Sequence, residues 1–402
     1  MNWLFKWTKG DAVIWAVIIL LSMFGILAVY SSTGTLAYKN QGGNTEFYLF
    51  KHLSFLLFGL VLMYVSHLIN YKYYSRIAQI FLVLSFLLLP YTLFFGTEIN
   101  SARRWITLPV IGFTFQTSDL AKLGLIMYVA RFLSKRQDEI KDFRKSFLPL
   151  TITIALICAL IMPANLSTAL VLFATCLLLM FIGRIAFKHI LLVVGAGVIA
   201  ATLLVTLALT LPDDAINKFA RLSTWKSRVE GFTQGRENMD EREALVANYH
   251  VVQGKIAIAS GGLFGKGPGN STQRNFLPNP FSDFVFAIIL EEYGLIGGIF
   301  IVLLYLVLLF RCVRIVIKSP RAFGALLAVG LSFSLVIQAF INMGVAVNIF
   351  PVTGLPLPLV SMGGTSLIFT SISLGIILSV SRNIEEQENG EETQEGGEVA
   401  TA

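Results

Sequence analysis

The feature that most constrains this chain is a series of apolar runs separated by short polar connections. Each run is near the ~20 residues that a helix needs to cross a hydrocarbon layer. In lipid a segment must satisfy its own backbone N–H and C=O groups, so each run reads as a helix. The predicted fold class is all-α: a polytopic membrane protein of about ten spans with one large extracytoplasmic loop. The spans fall at about 12–31, 49–70, 77–96, 119–134, 147–163, 167–184, 188–211, 284–310, 323–347 and 362–381. The fourth is short and carries Lys122. Charged residues are only 14% of the 402 and hydrophobic residues 55%, whereas a soluble chain carries about 25% charged.

The basic residues set the orientation. Lys6, Lys9, Lys72, Arg76, Lys135, Arg136, Lys141, Arg144, Lys145, Arg184, Lys188, Arg311, Arg314, Lys318, Arg321 and Arg382 fall in connections on one side. The opposite short connections hold little beyond Lys39, Lys51 and the pair Arg103-Arg104. By the positive-inside rule both termini are cytoplasmic and residues 212–283 lie outside. The net charge of +7 is therefore a topological signal and does not point to nucleic acid. Cys158, Cys176 and Cys312 have no metal-like spacing and the four histidines are scattered, so neither a disulfide framework nor a metal site is indicated. The first run is longer than a signal-peptide core and lacks a clear cleavage site, so it reads as a retained anchor. Residues 1–382 form one transmembrane domain. Residues 383–402, rich in Glu and Gly, are expected to be a disordered acidic tail in the cytoplasm.

Residues 212–283 are too many for a plain connection. The glycine-rich stretch Ser260-Gly-Gly-Leu-Phe-Gly-Lys-Gly267 within them is not a P-loop, because the spacing fails. It admits two readings, a compact surface loop, which is favoured, and a backbone whose N–H groups a polar ligand can approach. The segment then runs through Pro278 and Pro280 to Ser282-Asp283, with no other charge between Arg274 and Glu291. Asp283 has two possible jobs. It could cap the helix that follows, where an acid suits the dipole, or it could act as a carboxylate presented at the membrane surface.

Other residues could join it. Arg103 and Arg104, beside Trp105, break the charge pattern at the outer interface. Two guanidiniums there suit phosphate, or else ordinary lipid headgroups. Ser118 or Thr117 could cap the fourth span, with Asp119 in its first turn. Lys122 lies one turn further in. A lysine inside a span is costly and usually faces a polar cavity, although an i,i+3 pair with Asp119 would also account for it. Glu291 and Glu292 are expected to be structural and, diverging by about 100° around the helix, not to serve one site. The stretch Pro351-Val-Thr-Gly-Leu-Pro-Leu-Pro358 through Ser361-Met-Gly-Gly364 has no charge, so at a membrane surface it should be buried or line a cavity. Asn342 and Asn348 could hydrogen-bond within the bundle.

Together these segments resemble the SEDS family (shape, elongation, division and sporulation), to which FtsW, RodA and SpoVE belong. The resemblance rests on Arg103-Arg104-Trp105-Ile106, Phe115-Gln116 with Ser118 and Lys122, the run from Ser260 to Gly267, Ser282-Asp-Phe-Val-Phe286, Glu291-Glu-Tyr-Gly294 and the 351–364 stretch. Three positions depart from the family pattern. Phe281-Ser282 stands where His-Thr is usual, Thr117-Ser118-Asp119 where Pro-Ser-Glu is usual, and Asn165 where an aspartate is common.

The resemblance implies a peptidoglycan glycosyltransferase that polymerises lipid II, closer to the division-type than the elongation-type members. It implies location in the bacterial cytoplasmic membrane at the division septum, and work with a class B, FtsI-like penicillin-binding protein. It implies no definite cofactor and leaves room for a divalent cation. In that chemistry Asp283 is the general base, and Arg103, Arg104, Lys122 and, as a lesser candidate, Lys266 hold the pyrophosphate. A lipid flippase and a non-catalytic scaffold are the rival readings.

Overall fold

A computed structural model describes residues 9–42, 44–99, 102–108, 113–210, 241–277 and 279–399. Twelve α-helices are assigned there, named in chain order. They are α1 Ala12–Ser32, α2 Gly34–Gln41, α3 Thr45–Leu68, α4 Tyr71–Phe95, α5 Thr117–Lys135, α6 Leu148–Ile161, α7 Leu166–Ile182, α8 Phe187–Thr210, α9 Glu241–Gly261, α10 Val285–Lys318, α11 Ala322–Ala346 and α12 Thr365–Val399. Seven described segments are long and apolar enough to cross a membrane. The other three expected spans are α5, which is more polar, and α7 and α8, whose apolar segments are shorter. The first part of the expected large loop, residues 212–240, lies outside the described residues.

The bundle is built around α11 and α12, whose most apolar windows are 72% and 89% buried, against 28% for α3 and α4. Apolar residues run all round these helices, so burial is decided by neighbours rather than by an amphipathic stripe. α12 packs along α3, α4 along α5, and α10 between α1, α9 and α11. Close backbone approach of α3 and α12 requires Gly375, because a Cβ there would collide with the Met63 carbonyl.

Helices α2 and α9 lie where a connection and a loop were expected, and two further features were not expected. Residues 97–116 form an antiparallel sheet in which β1 Thr97–Ile99 pairs with β2 Ala102–Leu108, and β2 with β3 Phe113–Gln116. Alternation in these short strands is masked by the apolar runs around them. The acidic tail is also ordered at its start. Ile384 is 7% exposed, Glu385 accepts from the Gly10 N–H at 2.7 Å, and Glu388 meets Lys318 at 2.9 Å. The expectation of disorder from residue 383 is therefore corrected as far as Glu388. The acids have basic partners on neighbouring helix ends, and one apolar side chain is buried among them.

The same end of the bundle holds the start of α1. Asp11 caps α1 by accepting from the Val13 and Ile14 N–H groups, and pairs with Arg311 at 2.6 Å. The sheet, the glycine-rich loop and the N-terminal ends of α3, α5, α10 and α12 lie at the other end.

Candidate functional site

The polar residues at that second end meet because of how three segments terminate. The β-hairpin hands the chain directly into α5, putting Arg104 on β2 and Asp119 and Lys122 in the first two turns of the helix. The segment ending at Asp283 runs into α10 from the other side. The uncharged 351–364 stretch closes the gap between α11 and α12.

Hydrogen bonds tie that stretch to the aspartate segment. The Met362 N–H donates to the Phe281 carbonyl at 2.9 Å, and the Ser361 hydroxyl to the Ser282 carbonyl at 2.7 Å. Asn342 donates its side-chain amide to the Asp283 carbonyl at 3.2 Å and the Leu355 carbonyl at 2.7 Å. A buried amide satisfying two loop carbonyls fixes the backbone around Asp283. As expected for an uncharged loop at membrane depth, Leu355, Leu357, Leu359 and Val360 are buried, while Gly354, Pro356 and Met362 face a cavity.

That cavity has a volume of about 360 Å³, within the ~300–1,000 Å³ of small-molecule sites. It is lined by Lys51, Arg104 and Lys122 as cations and by Asp119 and Asp283 as carboxylates. His52, Asn165 and Gln338 add neutral polar groups. Lys122, with a side chain 12% exposed, donates to the Gln338 amide oxygen at 2.9 Å and lies 3.9 Å from Asp119. Its ammonium therefore has a neutral partner at hydrogen-bond distance and a carboxylate just beyond it. Asp283 is half-buried, and its carboxylate accepts from the Ser282 hydroxyl at 3.0 Å.

Asp283 is not at the cap position of the helix that follows it. α10 begins at Val285, and its N-cap, Phe284, makes no side-chain capping bond. Neither Thr117 nor Ser118 caps α5, which starts from Gln116 without a side-chain cap. In both places the entering chain is held by tertiary contacts, which removes the need for a local cap. Asn165 does cap α7, accepting from the Thr168 N–H at 3.2 Å, and also lines the cavity.

Of the candidates named from sequence, the structure brings together Asp283, Arg104 and Lys122. It does not bring in Arg103 or Lys266. Arg103 is exposed on the opposite face of its strand, 3.5 Å from Glu98. Side chains alternate across a strand, so two adjacent arginines cannot share one face. Lys266 lies outside the cavity and pairs with Glu291 at 2.6 Å. Sequence reasoning counted Lys51 only as a charge in a connection and missed His52; their signal would have been a Lys-His pair in the first turn of the expected 49–70 span. Among the described residues no three His, Cys, Asp or Glu side chains converge on a point that could hold a metal ion.

Solved structures share this architecture. A chain from a structure entitled "Structural coordination of polymerization and crosslinking by a peptidoglycan synthase complex" matches with a TM-score of 0.72 at 25% identity, over 93% of this chain and 98% of that one. The rod shape determining protein RodA of Thermus thermophilus matches with a TM-score of 0.65 at 25% identity, over 94% of this chain and 98% of its own. Stage V sporulation protein E of Bacillus subtilis is 33% identical over 94% of this chain and 98% of its own length. The probable peptidoglycan glycosyltransferase FtsW of Trichlorobacter lovleyi is 32% identical over 94% and 95%. The FtsW/RodA/SpoVE cell cycle protein profile matches residues 11–386, nearly the whole chain, and to that family the chain belongs.

Proposed function

We propose that the chain is a peptidoglycan glycosyltransferase of the cytoplasmic membrane, polymerising lipid II into glycan strands during cell division. The observation that carries this reading is a cavity in which a half-buried carboxylate, Asp283, faces the same space as Arg104 and Lys122. Relatives named for this activity, and a structural neighbour from a peptidoglycan synthase complex, support it. Curated relatives matched at 32–33% identity over nearly their whole length carry FtsW and SpoVE names, which supports the division and sporulation branch.

The chemistry follows from the geometry. A lipid-linked disaccharide has its isoprenoid tail in the bilayer, its pyrophosphate at the interface and its sugars outside. The acceptor hydroxyl oxygen forms a bond to the anomeric carbon of the donor, and the bond from that carbon to the pyrophosphate oxygen breaks. Asp283 takes the hydroxyl proton as general base. The departing pyrophosphate gains negative charge, which Arg104 and Lys122 stabilise within a partly dehydrated cavity. Lys51, exposed at the rim, adds a third cation. The basic connections at the opposite end support cytoplasmic termini and a cavity that opens outside. A single-span class B penicillin-binding protein, packing on apolar helix faces, is the partner that fits such a polymerase.

Asp283→Asn tests the reading. The amide has nearly the shape of the carboxylate and is nearly as good a helix-terminal acceptor, so folding should stay intact, and its oxygen can still accept from the Ser282 hydroxyl. It cannot take a proton. Purified with its penicillin-binding partner and given lipid II, the native chain should make glycan. The variant should co-purify equally well and polymerise about 10²–10⁴-fold more slowly. Near-native polymerisation by the variant would remove Asp283 as the base. Lipid II translocation without glycan from the native chain would make it a flippase, and neither activity would make it a scaffold.

A further inference from the structure

The acidic pair on α10 lies outside the cavity and fully inside the protein. Glu291 and Glu292 are 0% and 1% exposed. Contrary to the expectation that they serve different neighbours, the glycine-rich loop wraps across both, and both reach Ser271. One oxygen of Glu291 accepts from Lys266 Nζ at 2.6 Å, the Thr272 hydroxyl at 2.8 Å and the Thr272 N–H at 3.1 Å. The other accepts from the Ser271 hydroxyl at 2.5 Å and the Gln273 N–H at 3.2 Å. Glu292 accepts from the Ser271 N–H at 3.2 Å and from the Ser31 hydroxyl at the end of α1.

Backbone bonds complete the clasp. The Lys266 and Gly267 N–H groups donate to the Glu291 and Glu292 carbonyls at 3.0 and 2.9 Å. This contact requires Gly294 at φ 68° and Gly265 at φ 80°, since a Cβ on either would strike the other strand of chain. Beyond the clasp only nine residues separate Gln273 from Asp283, and among them Leu277 is buried. The far end is held by Asn342 on the Asp283 carbonyl.

We propose that Glu291 is a positioning residue for Asp283: its carboxylate fixes residues 271–273, the near end of the segment whose far end Asn342, Ser361 and Met362 hold, and the two anchorages together set how far the aspartate reaches into the cavity. The inference rests on the reading of Asp283 as general base. The five strongest partners of Glu291 are all donors, so a carboxylate suits the site and an amide does not. A glutamine would aim its NH₂ at groups that also donate. The cations Arg104 and Lys122 stand on β2 and α5, which the clasp does not hold. Loosening it should therefore move the base without weakening the grip on pyrophosphate.

The test is steady-state polymerisation of lipid II by the full chain with its partner, comparing native protein, E291Q and E291D, with D283N in parallel. A misplacement of about 1 Å costs up to about 10²-fold, so kcat of E291Q should fall about 10- to 100-fold. KM should change by less than about twofold, the pattern of an interaction lost in the transition state. E291D should recover part of kcat. A reporter cysteine at Asn279, which lines the cavity, should react faster with an impermeant maleimide in the E291Q background. Should E291Q not accumulate, Ser271→Ala removes one donor and no charge, and should lower kcat several-fold at constant KM. Native kcat in the glutamate and serine variants, or a loss confined to KM, overturns the proposal. If D283N itself polymerises normally, the reading of the base has failed. If D283N is inactive while E291Q is normal, the positioning role alone has failed.

Discussion

Lys122 separates a structural pair from a substrate contact, and the geometry sets the expected sizes. Its ammonium is 3.9 Å from Asp119, with side chains 12% and 6% exposed, and 2.9 Å from the Gln338 oxygen. Removing one partner of a buried pair costs about 3–5 kcal/mol, because the other charge is stranded. Arg104 lines the same cavity as Asp119, which places Lys122→Met at the lower end, about 3 kcal/mol. Replacing both charges leaves nothing stranded, so Lys122→Met with Asp119→Asn should return to within about 1–2 kcal/mol of native stability. Activity should not return. A charged hydrogen bond to phosphate contributes about 1.5–3 kcal/mol, or roughly 10- to 150-fold in kcat/KM. Thermal unfolding in detergent reads the first quantity and lipid II polymerisation the second. A double variant that regains both stability and native polymerisation would show that Lys122 is only the partner of Asp119.

Two further outcomes follow from placement. Arg104→Ala should lower kcat/KM for lipid II about tenfold or more, whereas Arg103→Ala, facing the other side of the strand, should change it by less than about twofold; equal losses would mean that the sheet turns in the membrane. For topology, an impermeant thiol reagent applied from outside should label a cysteine at Thr233, a position outside the described residues, and not one at Glu398. The reverse pattern would invert the site.

Much of this molecule is determined by its sequence alone. Long apolar runs can satisfy their backbones in lipid only as helices, so the apolar helices and their approximate limits are written locally. An uncharged, proline-rich loop at membrane depth must be buried or line a cavity, and within 351–364 Leu355, Leu357, Leu359 and Val360 are buried while Gly354, Pro356 and Met362 line one. A lysine in the first turns of a span must face something polar, and Lys122 faces Gln338, Asp119 and a cavity.

What the tertiary structure decided is which polar residues share a space. Arg103 and Arg104 are equivalent in sequence, and the register of a short, unanticipated strand turns one toward the cavity and the other away. Lys266 lies in a glycine-rich loop that suits a phosphate, but the fold brings a buried glutamate to it instead. Asp283 is placed as a helix cap by local rules, yet Asn342, Ser361 and Met362 hold the chain around it, from helices and loops far away in sequence. Local propensities act over a few residues, whereas a cavity is the space left when several distant segments meet. The sequence therefore determines the candidates one at a time, and only packing determines which of them act on the same molecule.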